Sequence, residues 1–97
     1  MALPRFLRGL EERDPDLAAV VDKLWATTSE GPLDDKTRIL IMLAMDTASG
    51  ASRGVASLSE QARKLGATEE EIAQTVRIAY VIAGMEALLT GDAAFDE

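Results

Sequence analysis

The chain has no cysteine and no histidine among its 97 residues. Without cysteine there are no disulfides, no thiol redox chemistry and no thiolate nucleophile. Without histidine the chain also lacks the side chain whose ordinary pKa lies nearest neutrality, and transition metals lose their usual ligands. A general acid or base would have to be a carboxylate, a lysine or a tyrosine with a shifted pKa. We therefore predict neither a metal site nor a cofactor.

Aromatic residues and alternating apolar patterns are also scarce. The core must be built from Leu, Ile, Val, Met and Ala, which favours packed helices over a sheet. A chain of 97 residues suffices for one small core. We predict an all-α fold and one compact domain over residues 1–97. The aromatic residues are Phe6, Trp25, Tyr80 and Phe95.

The charge balance disfavours two classes of partner. Acidic residues outnumber basic ones by 17 to 10, which gives a net charge of −7. Nucleic-acid binding relies on clustered Lys and Arg, so we expect no such partner. The N-terminus lacks the pattern of a signal peptide, and the longest apolar run, Ile39–Met45, is too short to span a bilayer. We predict a cytoplasmic protein without a membrane partner.

Start and stop signals predict about four main helices. The capping signals are Asp14 before Pro15, Asp34 or Asp35, and the capping box from Thr68 to Glu71. We expect residues 1–13 to form either an N-terminal arm in which Phe6, Leu7 and Leu10 dock on another surface or a frayed terminus, and residues 92–97 to form an acidic tail. The helices run from Pro15 to about Thr27–Ser29, from Asp34 or Asp35 to Gly50, from Ser52 to Leu65, and from Thr68 to near Gly91.

The helix that contains Ile39–Met45 is apolar on nearly every face, which predicts burial all round. So small a chain has few elements to cover it, and we therefore predict an obligate homo-oligomer. Asp46 is the exception on this helix, and a buried carboxylate needs a partner or an opening. Lys36, Arg53 and Arg77 are candidate partners. A structural ion pair or a solvent-facing edge is favoured over a functional acid.

The segment Leu33-Asp-Asp-Lys-Thr-Arg38, the glycine corner at Gly50 and the stretch Glu60–Ile72 carry a family resemblance, which continues to Ala83-Gly84. Over residues 33–89 the chain resembles the carboxymuconolactone decarboxylase family, which includes the alkylhydroperoxidase D branch. The resemblance implies an all-helical domain that assembles as a trimer or hexamer, with a dimer as the alternative.

The peroxidase branch of that family carries a Cys-x-x-Cys pair, a histidine and a glutamate. The resemblance places the cysteines at Ala51 and Gly54, the histidine at Leu58 and the glutamate at Ile39. None of these four residues can supply a thiolate or a proton relay, so thiol peroxidase activity is excluded. A pocket at these positions would be apolar and suit a hydrophobic ligand or subunit packing.

Two functions follow as hypotheses. The favoured one is a non-redox, homo-oligomeric binding or scaffold protein that takes a small carboxylate or apolar ligand. The alternative is a cofactor-independent lyase of the decarboxylase type, acting on a small carboxylated lactone. Its candidate catalytic residues are Asp46, Arg53 and Tyr80, with Glu60 a further candidate, and its substrate-binding residues are Arg77, Ser52 and Leu58. An interaction module for another protein would rest only on the apolar arm and the acidic tail.

Overall fold

The computed structural model describes residues 7–95, and contacts divide the chain into two units, Met1–Leu33 and Asp34–Glu97. Within residues 7–95 every regular element is helical, which confirms the all-α class. Short 3-10 segments follow α2 at Thr27–Ser29 and α5 at Asp92–Phe95. The α-helices are α1 (Arg8–Arg13), α2 (Pro15–Ala26), α3 (Asp35–Ser49), α4 (Ser52–Lys64) and α5 (Glu69–Gly91).

The first unit is a pair of helices, α1 on α2. Leu10 and Ala18 are buried between them, so part of the predicted arm docks on its own chain, while Phe6 lies outside the described residues. Helix α2 begins as predicted, with Asp14 accepting a hydrogen bond of 3.2 Å from the Leu17 N–H. The side chains of Leu17, Val20 and Leu24 are 47–64% exposed, however. The small Ala18, which permits close approach, is the residue of α2 that is buried.

In the second unit, α3 packs against both α4 and α5. The buried cluster is formed by Ile39 and Leu43 of α3, Leu58 and Ala62 of α4, and Ala67 of the following loop. Leu43 is its most enclosed large side chain, at 1% exposure. The core therefore lies along one stripe of α3.

Local sequence signals set the ends of these helices. The Asp34 carboxylate accepts a hydrogen bond of 2.8 Å from the Thr37 N–H, and Thr68 and Glu71 form the predicted capping box. Gly50 ends α3 with φ of 78°, and Gly66 follows α4 with φ of 94°. Only glycine adopts this left-handed backbone without strain, so both stops are encoded by the residue type.

Two ion pairs connect the helices of the second unit. Lys36 Nζ lies 2.9 Å from Glu71 Oε2 and joins α3 to the start of α5. Lys36 was a candidate partner of Asp46, but its ion pair is with Glu71. Arg63 donates from Nε and Nη2 to the two carboxylate oxygens of Glu69, at 2.7 and 2.9 Å, and so joins α4 to α5.

Acidification should weaken the start of α5. The Thr68 backbone N–H, and then Lys36, hold the pKa of Glu71 below its ordinary value of 4.5. A carboxyl group with a lowered folded pKa stabilises the fold above its unfolded pKa, and that contribution is lost as the pH falls through the folded value. We expect the midpoint urea concentration of unfolding to decrease when the pH is lowered below about 4.5. The Glu71→Gln variant should show a weaker dependence of this midpoint on pH.

The matched control for this measurement is Glu70→Gln, which alters an exposed neighbour in the same turn. The variants should be compared by urea titrations at several pH values, since Asp34 and Glu69 also have lowered pKa values and add to the total. An identical pH dependence for Glu71→Gln and the unaltered chain would contradict this role of Glu71.

Much of the apolar surface is exposed within the single chain. On α3, Ile41 and Met45 are 45% and 68% exposed. On α5 the buried residues are Thr75 and Ala79, whereas the apolar Val76 and Ile82 are 40% and 58% exposed. Every residue from 80 to 91 is exposed. The second half of α5 therefore has no cover from the described residues of its own unit, Asp34–Glu97.

The helical stretch Glu69–Phe95 is long and apolar enough to cross a membrane, by length and composition alone. This stretch is longer than the run Ile39–Met45, whose shortness was the reason for predicting no membrane span. Arg77 and Glu86 interrupt it with opposite charges, which are costly in hydrocarbon. The residues predicted as a tail begin in a 3-10 helix, Asp92–Phe95, and the last two lie outside the described residues.

Candidate functional site

The corner between α3 and α4 holds several of the predicted site residues. The chain turns at Gly50, and the Ala51 N–H donates a hydrogen bond of 2.9 Å to the Asp46 carbonyl. Helix α4 then begins at Ser52 without a side-chain cap. Ala51, Ser52 and Arg53 are all exposed. The corner therefore presents a hydroxyl and a guanidinium to solvent at the start of α4.

Asp46 lies against Gly54, in the first turn of α4. A Cβ atom added to Gly54 would overlap Asp46 Oδ2 and stand 2.9 Å from its Cγ. The Asp46 carboxylate is partly buried and has no ion-pair partner among residues 7–95, so the predicted pairing with Lys36, Arg53 or Arg77 is not formed there. In the single chain the Asp46 carboxylate therefore lies partly buried beside α4. The absence of a side chain at Gly54 leaves room for the Asp46 carboxylate beside α4.

This contact can be tested by a double-mutant cycle. Glycine inside a helix costs up to about 1 kcal/mol relative to alanine, so Gly54→Ala should stabilise α4 wherever a methyl group fits. We expect that gain only in an Asp46→Ala background. With Asp46 present, its carboxylate must turn away from the added methyl group, so the gain should be smaller and the two substitutions should couple.

The cycle is read from the free energy of unfolding of four proteins in urea. Gly91→Ala is the matched control, since a Cβ atom added to this helical glycine meets nothing within 4 Å. Equal stabilisation by Gly54→Ala in both backgrounds would show that Asp46 does not occupy the space beside Gly54.

Leu58 and Ile39, the positions that the resemblance assigned to the histidine and the glutamate, belong to the hydrophobic core. Ile39 is 4% exposed and Leu58 is 8% exposed, and both are members of the cluster around Leu43. The two positions that the resemblance assigned to one active site therefore lie in the same buried cluster. Their environment is packed hydrocarbon, in which a charged or relay group would have to be desolvated.

Arg77 and Tyr80 lie on α5, away from the inward-facing Thr75 and Ala79. Arg77 borders an open groove, while Tyr80 is 77% exposed and lies outside its lining. The groove is an open depression between side chains of a single helix, because all its lining residues belong to α5. Asp46 and Arg53 do not line it. Its lining residues are Gln74, Arg77, Ile78, Val81 and Ile82.

The groove residues other than Arg77 were missed as site candidates. Their signal was present in the sequence, since Ile78 and Val81 continue a helical stripe that runs beyond the short core contact of α5. Within one chain, the described residues offer a packed apolar cluster, an exposed corner with Arg53, and an open apolar groove with Arg77. These features suit binding and association, and they lack the thiol chemistry of a peroxidase.

The fold and the absent thiols define a class: a small all-helical protein of the alkylhydroperoxidase D-like type without its thiol centre. The family model described as the carboxymuconolactone decarboxylase family matches residues 15–97, and the chain belongs to this family. The match begins at α2, earlier than the resemblance over residues 33–89 indicated.

The chain is also similar to a solved structure, that of a protein from Methanobacterium thermoautotrophicum determined by structural genomics. The TM-score is 0.83 at 27% sequence identity, and the match covers 93% of this chain and 99% of that one. No curated protein matches the chain.

Proposed function

We propose that this member of the carboxymuconolactone decarboxylase family is a non-redox, homo-oligomeric binding or scaffold protein. The observation that carries the proposal is the incorporation of Ile39 and Leu58 into the hydrophobic core. At these positions the resemblance expects the acid and the base of a peroxidase. Here they contribute packing, which stabilises the fold and supplies no proton transfer.

The exposed apolar surface supports the homo-oligomeric part of the proposal. A soluble monomer rarely exposes a contiguous apolar patch of more than a few hundred Å². On α5 alone, Ile82, Leu88 and Leu89 are each more than half exposed, and Met45 of α3 is exposed to 68%. Covering these side chains with further copies of the chain removes them from water at the usual gain per area.

An apolar ligand fits the available surfaces better than a carboxylated one. The core around Leu43 is filled, so a ligand must bind outside it. The groove on α5 is apolar apart from Gln74 and Arg77, and it lacks a second wall within the chain. Most ligand sites are enclosed on several sides, and the described residues of one chain supply only this one surface.

Two measurements on the purified chain test this proposal. Sedimentation equilibrium should give a mass that is a multiple of the 10.4 kDa chain. An assay of hydroperoxide loss with a dithiol reductant should show no consumption above the reductant alone. A monomer at micromolar concentration would overturn the homo-oligomeric part, and catalysed loss of the hydroperoxide would overturn the non-redox part.

A further inference from the structure

The exposed half of α5 carries a stripe with the spacing of a coiled coil. Ile78, Val81, Met85 and Leu88 follow one another at intervals of three, four and three residues, which is the spacing of core positions in a heptad. They are 54%, 50%, 56% and 74% exposed. We call these four residues the α5 seam. Such a stripe fits another helix that lies nearly parallel or antiparallel to it.

The α5 seam is separate from the part of α5 that contacts its own chain. Successive residues turn by about 100° around a helix, which places the seam on a different face from Thr75 and Ala79, the buried residues of α5. Ile82 and Leu89 flank the seam and are 58% and 66% exposed. At full burial these six side chains would remove on the order of 600 Å² per copy, or about 1,200 Å² for the pair, which is the lower end of the range for stable interfaces.

We propose that the α5 seam binds the α5 seam of a second copy of this chain, with the two helices antiparallel. This rests on the proposed homo-oligomer and names its interface. A register centred on Ala83 places Ile78 opposite Leu88 of the second copy and Val81 opposite Met85 of the second copy. The same two pairs recur on the other side of the two-fold axis, as an isologous interface requires.

The small residues of α5 agree with this register. Gly84 lies beside the seam, on the side opposite Ile82, and a Cβ atom added to it would meet nothing within 4 Å. In the antiparallel pair it meets Gly84 of the second copy, which lets the two backbones approach closely. Arg77 is brought to the C-terminal end of α5 of the second copy, where the helix dipole favours a cation.

A second copy accounts for the surface better than a lipid bilayer does. Arg77 and Glu86 lie within the apolar stretch, and both would have to be desolvated in hydrocarbon. The net charge of −7 also repels the anionic lipids that recruit peripheral proteins. In a helix pair, by contrast, only the seam is covered and both charges stay in contact with water.

Charge substitutions in the central layer test the pairing and its register. Val81→Glu and Met85→Lys should each place two charges in the interface and weaken the association by at least about a hundredfold. Sedimentation equilibrium should then show half the mass of the unaltered assembly. When the two variants are mixed in equal amounts, the introduced carboxylate of one copy faces the introduced ammonium group of the other, and the full mass should return.

The matched control is Val76→Glu, which adds the same charge to the same helix on the face away from the seam, where Val76 is 40% exposed. It should leave the mass unchanged, and circular dichroism should show the helical content of all variants preserved. If the unaltered chain is an oligomer and the Val81→Glu variant keeps the same mass, the α5 pairing is overturned. The proposed homo-oligomer would still stand. Two single variants that stay apart on mixing would overturn the antiparallel register.

The mass of the unaltered chain distinguishes a second copy from a lipid bilayer as the partner of the α5 seam. A monomer at tens of micromolar overturns both this pairing and the homo-oligomer. In that case, flotation with neutral phosphatidylcholine vesicles that depends on Val81 and Met85 would assign the surface to a bilayer.

Discussion

Replacing Leu58 with aspartate should unfold the second unit or lower its free energy of unfolding by more than about 4 kcal/mol. Changes of that size come from a short set of causes, of which an unpaired charge in the core is one. Leu58 is 8% exposed and packs in the cluster around Leu43, whose members are all apolar and cannot compensate the carboxylate. Since small domains are stable by about 5–15 kcal/mol, this loss is a large part of the total.

The variant also separates two roles for Leu58. A substrate-binding residue in an open site would tolerate aspartate and lose only affinity, whereas a core residue loses the fold. Ala56→Asp is the control, because it adds the same charge to an exposed position of α4, two residues away. Circular dichroism and urea unfolding of the two variants give the comparison, and near-native stability of Leu58→Asp would contradict the core assignment.

Leu43→Ala should lower the free energy of unfolding by about 2–5 kcal/mol, the range for deleting a buried leucine side chain. Leu43 is 1% exposed on α3, which packs against both α4 and α5, so the surroundings cannot easily collapse into the cavity. Met45→Ala, at a site 68% exposed on the same helix, should cost less than about 1 kcal/mol at protein concentrations where the chain is dissociated.

Both values come from urea unfolding at equal protein concentration. Equal losses for Leu43→Ala and Met45→Ala would mean that α3 is buried evenly on both faces. The concentration dependence of the Met45→Ala value adds a second reading, because an interface residue contributes to stability only through the assembled form.

The helix ends were predictable from the sequence because local chemistry determines them. Asp14 and Asp34 bond amides within three residues, and Gly66 needs only its own backbone freedom. The capping box of Thr68 and Glu71 is of the same kind. Such interactions do not depend on the rest of the fold, so the residue pattern alone specifies them.

The inward faces of the helices were predicted less well. Helical spacing marks a stripe as apolar but does not say whether its cover comes from the same chain or from another. On α2 the buried residue is the small Ala18 rather than Leu17, Val20 or Leu24. On α5 apolar residues occur on most faces, so helical spacing alone does not identify Thr75 and Ala79 as its buried residues.

For the candidate site, the sequence predicted only which kinds of chemistry are absent. The missing cysteine and histidine rule out thiol chemistry whatever the geometry is. The place of Asp46 beside Gly54 could not be derived, because it depends on how closely α3 and α4 approach. The assignments of Asp46, Arg53, Tyr80, Arg77 and Ser52 to a lyase site stay predictions.

The most direct test of the non-redox binding role is a thermal-shift screen of the full chain, with its assembly mass measured beforehand. The probes are apolar small molecules, small carboxylates and acidic lactones. A ligand that binds the native state adds RT ln(1 + [L]/Kd) to its stability, about 2.7 kcal/mol at a hundredfold excess over Kd. We expect apolar compounds to raise Tm and acidic lactones to leave it unchanged. A rise with an acidic lactone that disappears in Arg53→Ala would contradict the preference for an apolar ligand, and conversion of that lactone by the protein would favour the lyase.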